Sequence, residues 1–257
     1  MAERRACAPA FIPKREAYLA NISNISNHFL SSLSPEDFAL IQPHLSGVQL
    51  PQGETLHRQL DRISHVYFPT EGVVSLVMDL REGQTVEAGM IGVNGTVGGG
   101  SALDGKLALS RAIVQVTGSS QRIAADTLKE FANRSESLRS ALFSREQAIS
   151  VHAQQVAACN AVHELEHRLA RWLLQVRDLV QSNRFDLTQE FLAQMLGVNR
   201  TSVTLVARHL QSAGLIKYRR GRIEIVDPEG LQDVACECYG TINGFYKALT
   251  GWVPGTI

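Results

Sequence analysis

The sequence predicts an α+β chain whose two unlike halves are joined by a long helix. Three observations carry this. Short apolar runs broken by turn residues fill the stretch from Val48 to about Val116. From about Thr127 to Cys159 apolar residues recur at a seven-residue spacing. From Leu187 to Arg222 the pattern is helix, tight turn, helix and small hairpin.

At 257 residues the chain is long enough for two domains, and its 44% apolar content is ordinary for a packed globular protein. Its 25 Lys and Arg balance 25 Asp and Glu, so any attraction to polyanions must be local. No run approaches the roughly 18 apolar residues of a membrane span. Arg4 and Arg5 are not followed by an apolar stretch, so no signal peptide is expected. The expected compartment is cytoplasmic, with no membrane partner. Cys7, Cys159, Cys236 and Cys238 do not form a disulfide framework. Cys236-Glu237-Cys238 alone does not make a metal site and reads as small residues covering the end of the last domain.

In chain order, residues 1 to about 28 read as irregular. Ser34-Pro35-Glu36-Asp37 starts a helix, with Ser as cap, Pro in first position and acids in the first turn. Phe38, Ile41 and Leu45 form its buried face, and it should end by Gly47. Strands are expected at Ser64–Phe68, Gly72–Leu80, Gln84–Gly89 and Ala112–Thr117, with turns at Pro51-Gln52-Gly53, Pro69–Gly72, Glu82-Gly83 and Asp104-Gly105. Such strands make an antiparallel barrel or roll. In the long helix, Leu142, Ile149 and Val156 form one seven-residue row and Leu138, Arg145, His152 and Cys159 a half-polar second. These rows suit a coiled-coil seam or a helix packed on its own roll. The register should break at Asn160 to His163, giving a hinge. Leu165, Leu169, Trp172, Leu173 and Val176 then form a new core face. Leu231 to Tyr239 reads as a closing helix. The tail from Thr241 to Ile257 carries Phe245, Tyr246 and Trp252, which suit docking.

The informative stretch is LTQEFLAQMLGVNRTSVTLVARHLQSAGLIKYRRGR. Thr188 caps the first helix, and Phe191, Leu192, Met195 and Leu196 bury one face. Gly197 ends that helix in a left-handed backbone, and Asn199 caps a second from about Arg200 to Ser212. Val203, Val206, Ala207 and Leu210 turn inward, while Arg200, Thr201, Ser202, Thr204 and Arg208 point outward near the helix start. That is the geometry of a recognition helix in a major groove. Leu215 and Ile216, the turn Arg219-Arg220-Gly221-Arg222 and Ile223 to Val226 make the wing. From Met195 to Arg222 there are six Lys and Arg and no acid; from Ile223 to Cys238 there are five acids and no Lys or Arg. A basic face beside an acidic one suits phosphate binding.

On these residues, His163 to Tyr239 resembles the winged helix-turn-helix of the Crp/Fnr family of bacterial transcription regulators. Arg200 matches the first Arg of that family's Arg-Glu-x-x-x-Arg, but Thr201 replaces the Glu and Leu205 the second Arg. The resemblance implies duplex DNA as partner, with Arg200 reading guanine. Thr201, Ser202 and Thr204 meet bases or phosphates, and Thr188, Asn199, Arg208, Arg219, Arg220 and Arg222 hold the backbone. It implies a homodimer, RNA polymerase as a further partner and a small-molecule effector of unknown identity. It also implies that the strands form a cyclic-nucleotide-binding-like β-roll (a double-stranded β-helix). The chain then divides into an extension (1–30), sensor roll (31–133), dimerisation helix (134–160), winged helix-turn-helix (161–240) and tail (241–257).

Cyclic-nucleotide binders of the family carry a Gly-Glu pair about ten residues before an Arg. Here Gly98, Gly99 and Arg111 are the matching effector residues, but no Asp or Glu lies between Ala88 and Leu103. An unpaired ribose hydroxyl costs about 1–3 kcal/mol, which argues against cyclic AMP. With only Cys7 near the N-terminus, an iron–sulfur cluster is not expected; His57 and His65 read as structural rather than haem ligands. His163-Glu164-Leu165-Glu166-His167 matches the zinc-hydrolase motif H-E-x-x-H, but no third ligand follows at the proper spacing. No catalytic or metal-binding residue is therefore expected. The alternative classes are a ligand-regulated protein-binding module and that zinc hydrolase.

Overall fold

The computed structural model describes residues 26–105 and 107–255, so most of the N-terminal stretch that the sequence suggests is irregular, Cys7 included, lies outside the described residues. Helix α1 (His28–Ser31) is anchored by buried Asn27. The Asn27 side chain accepts from the Leu30 amide and donates to Pro69 O and Gly95 O, both at 2.9 Å. Helix α2 (Pro35–Ile41) starts at the expected Ser34 cap and buries Phe38 and Ile41. One 3-10 turn, Gln42–His44, ends this helical stretch before Gly47.

Seven strands build the roll: β1 (Ser46–Leu50), β2 (Thr55–His57), β3 (His65–Pro69), β4 (Val73–Asp79), β5 (Thr85–Ile91), β6 (Arg111–Val116) and β7 (Gly118–Ala124). They form two antiparallel sheets, ordered β1-β7-β3 and β2-β6-β4-β5. The expectation of four strands missed β1, β2 and β7. β7, of sequence GSSQRIA, pairs on both sides, Ser46 with Arg122 and Phe68 with Gln121. Its backbone pairing and small inward residues Gly118 and Ser120 place it centrally, without the apolar alternation that marks a strand in sequence.

The helix expected from Thr127 to Cys159 is two helices, α3 (Ala125–Arg134) and α4 (Glu136–Val162). Ser135 between them is extended, and its hydroxyl accepts from the Leu138 amide to cap α4. Ser135 and Ser137 both donate to the buried carboxylate of Asp37, which holds the break in place.

The seven-residue rows do not face outward as a seam. Leu138, Leu142, Arg145, His152, Val156 and Cys159 are buried within the same chain, and Ile149 packs on the roll. The physical reason is the C-terminus. The expected closing helix Leu231–Tyr239 is instead split into α8 (Pro228–Val234) and α9 (Cys238–Thr250), parted at extended Ala235. Helix α9 runs against α4. Tyr246 meets His152 edge to face and packs on Trp252, and Arg145 donates to Thr250 O. The seam is filled by the chain's own tail, which docks.

Helix α5 (Leu165–Val180) opens the second half, followed by β8 (Arg184–Asp186), α6 (Gln189–Leu196), α7 (Arg200–Ser212), β9 (Ile216–Arg219) and β10 (Arg222–Ile225). The last sheet has the order β8-β10-β9. One apolar cluster joins the halves. It contains Val73, Val77 and Met90 of the roll, Ala148 and Val156 of α4, and Leu169, Trp172 and Val176 of α5. Inside the contact between the halves, Glu87 of β5 accepts from Trp172 Nε1 at 2.8 Å and from Ser75 Oγ at 2.5 Å. Burial pushes the Glu87 carboxyl up to about 7 against both hydrogen bonds.

Candidate nucleic-acid interface

The interface is built by two capped helices at a fixed turn. Thr188 Oγ1 accepts from the Phe191 amide at 3.3 Å to start α6. Gly197 ends it at φ 64°, a left-handed conformation that costs glycine least. Asn199 Oδ1 accepts from the Ser202 amide at 2.8 Å to start α7. Val203, Ala207 and Leu210 are buried, while Arg200, Thr201 and Arg208 are exposed.

Two of the proposed contacts are engaged internally. Ser202 Oγ donates to Asn199 Oδ1 at 3.0 Å. Thr204 Oγ1 lies 2.9 Å from both Gln189 Oε1 and Arg200 O, so it ties α7 to α6. Leu205 is not among the interface residues expected from the sequence, yet it is 61% exposed among the outward residues. A signal for it exists in the spacing: it follows Thr201 by one helical turn.

The wing turn is a two-residue loop, since Arg219 pairs with Arg222. Arg220 and Gly221 have φ of 52° and 79°, both left-handed, as a type I′ hairpin turn requires. Tyr218 OH donates to Leu187 O at 2.8 Å and fixes the wing against the start of the helix-turn-helix. Arg222 donates to Asp186 at 3.0 Å across the sheet, so this wing arginine already has an anionic partner. The first turn of α7 faces a groove whose other wall is the β4–β5 turn, Leu80 to Val86.

The three expected effector residues fall in two places. The glycine loop receives a carboxylate from the chain itself. A Cβ on Gly99 or Gly100 would come within 3.1 Å of a Glu146 oxygen, and the Gly100 amide donates to that carboxylate. Burial raises Glu146 to about 6. Gly98 packs against Ile63 and His65. Arg111 forms a two-pronged pair with Asp79, each N–O distance 2.7 Å.

The H-E-x-x-H match does not converge. His163 is the extended cap of α4 and Glu164 that of α5, so the motif straddles two helices. His163 turns to Cys238 and Glu237, whereas His167 Nδ1 lies 2.6 Å from Val234 O.

Two family descriptions match this sequence. A cyclic nucleotide-binding domain matches residues 47–135 and a Crp-like helix-turn-helix domain residues 167–234. No curated protein matches. Among solved structures, FixK2 from Bradyrhizobium japonicum superposes at a TM-score of 0.62 with 13% identity, over 75% of this chain and 98% of that one. A Crp/Fnr-family transcriptional regulator from Thermus thermophilus gives 0.60 at 22% identity, over 74% and 98%. The Xanthomonas campestris global regulator Clp, described as responsive to c-di-GMP, gives 0.59 at 17%, over 75% and 99%. At these identities the structures establish the fold. The two matched domains, in this order on this fold, assign the chain to the Crp/Fnr family of transcription regulators.

Proposed function

We propose that this regulator acts as a cytoplasmic homodimer on an inverted-repeat operator, with α7 of each copy in one of two major grooves about one helical turn apart. The observation that carries the reading is the row of Arg200, Thr201, Leu205 and Arg208 on the outward side of α7, flanked by wing residues Lys217, Arg219 and Arg220. Arg200 reads a guanine edge, with Thr201 and Leu205 beside it. Ser202 and Thr204 hold the helix-turn-helix together and touch the duplex from the edge of the contact. Thr188, Asn199, Arg208 and the wing arginines bind backbone. RNA polymerase is the partner that such a complex serves.

The outward side of α4, which carries Phe143 at 56% exposure, pairs the two copies. The effector is not cyclic AMP. In the resemblance, Gly98, Gly99 and Arg111 receive a cyclic phosphate; here Glu146 and Asp79 meet the loop and the arginine. Negative carboxylates at both points oppose a phosphate. The effector shifts the second half about the His163–Glu164 break and opens the groove between α7 and the β4–β5 turn.

Selection of fragments from a random duplex pool tests this. The expected product is an inverted repeat with half-sites about ten base pairs apart, retained equally with and without cyclic AMP. Failure to retain any duplex at low salt would overturn the reading and favour a protein partner.

A further inference from the structure

The fold brings together two pairs of side chains that lie far apart in the sequence: Cys159 and His163 at the end of α4, and Cys236 and Cys238 at the entry to α9. One ligand atom from each lies within 4.8 Å of all the others. Cys159 Sγ is 3.5 Å from Cys236 Sγ, and His163 Nδ1 is 3.6 Å from Cys238 Sγ. A tetrahedral centre with metal–sulfur bonds of about 2.3 Å sets its ligand atoms about 3.7 Å apart.

The surroundings match a metal site. His163 turns Nδ1 inward, and its Nε2 lies 3.2 Å from Glu237 Oε1. A carboxylate on the far ring nitrogen is how metal-binding histidines are oriented. Gln155 Nε2 donates to Cys238 Sγ at 3.0 Å. Two arginines supply positive charge. Arg171 is 2% exposed, Nε of both Arg168 and Arg171 is buried without a hydrogen-bond partner, and both guanidinium groups act on the cysteines. Buried cations need a nearby anion, and the carboxyl near Arg171, Glu87, is raised to about 7 by burial. Three thiolates around a divalent ion leave one negative charge to answer them.

We propose that Cys159, His163, Cys236 and Cys238 bind one zinc-type divalent cation in a tetrahedral Cys3His site. Thiolate ligands select such an ion over magnesium or calcium. Four protein ligands leave no open position, so the site is structural rather than hydrolytic. On binding, three S–H protons pass to solvent as three metal–sulfur bonds form, and neutral His163 gives its Nδ1 lone pair. No electron is transferred. The ion ties the linker between α8 and α9 to the end of α4, with His163 itself at the hinge. Its bearing on DNA geometry rests on the function proposed above; its occupancy does not.

The test is cobalt titration of the full, reduced, chelator-stripped chain, followed by zinc. One cobalt per chain is expected, with the visible absorption of tetrahedral cobalt and a near-ultraviolet thiolate band, both bleached by one equivalent of zinc. Bound zinc should shield three of the four cysteines from a thiol reagent. Cys236→Ser and Cys238→Ser should lose the thiolate band or weaken it sharply. Glu237→Gln should bind about 10- to 100-fold more weakly. His167→Gln should bind as the parent does, which separates this site from the H-E-x-x-H match. No saturable tetrahedral spectrum in the parent chain would overturn the proposal, whatever the variants do. So would a Cys159–Cys236 disulfide formed by a protein that binds no metal when reduced.

Discussion

Arg200 and Arg220 carry the same charge and are expected to do different work. Arg200 is the first residue of α7, held by the Asn199 cap at the end proposed to enter the groove. Replacing it with Ala should relax preference at one base position by about 1–3 kcal/mol. Arg220 sits at the wing tip in a left-handed conformation that Asn tolerates better. Arg220→Asn should therefore keep the hairpin, weaken binding to all duplexes alike and lower the salt slope by about 1. Quantitative binding to matched, mismatched and random duplexes at several salt concentrations checks both; identical behaviour would end the division of roles. These arginines were legible because charge and capping are local. The bond from Thr204 to Gln189 was not, because it depends on how α6 and α7 cross.

At the level of elements, breaks matter as much as helices. Ser135 caps α4 and also donates to buried Asp37. Ser135→Ala should cost about 1–2 kcal/mol, read by urea unfolding, through a lost cap and a carboxylate missing one donor. An unchanged midpoint would mean that the break is set elsewhere. The tie between β5 and α5 is titratable. Burial raises Glu87 to about 7 from 4.5, so the folded chain holds a proton there that the unfolded chain has released. That contribution to stability is complete below about pH 4.5 and is lost as pH rises through 7. His28 and His152, lowered to about 4 and 3 by burial, act on the acid side, where their contribution is lost as pH falls below 6.5. The thermal stability of the parent relative to Glu87→Gln should fall between about pH 4.5 and 7 and level off above that. Parallel curves for parent and variant would remove Glu87 from that decline.

Across the whole molecule, the two halves share one apolar cluster, and α9 occupies the row of α4 that its spacing suggested for a partner. In the proposed dimer, the second copy therefore uses the outward side of α4. Phe143→Glu is expected to give a monomer by light scattering and to lose tight binding to a full inverted repeat while retaining weak binding to a half-site. A dimer that survives the charge would place the contact elsewhere. The β4–β5 turn beside α7 makes the same point about order. Under the proposed function, the second half moves away from this turn before two grooves are reached together.

The amino-acid sequence by itself determined the helix-turn-helix, its caps and its basic wing, because each depends on residues a few positions apart: Thr188 with Phe191, Asn199 with Ser202, Arg219 with Arg222. It also marked the roll and the long helical stretch. Only the tertiary structure decided which partner each apolar row meets, where the long stretch breaks, and that a glycine loop faces Glu146. It alone brought Cys159 to Cys236, 77 positions apart. The reason is physical: capping and periodicity are written in neighbouring residues, whereas burial and clustering are set by chain segments that meet only after folding.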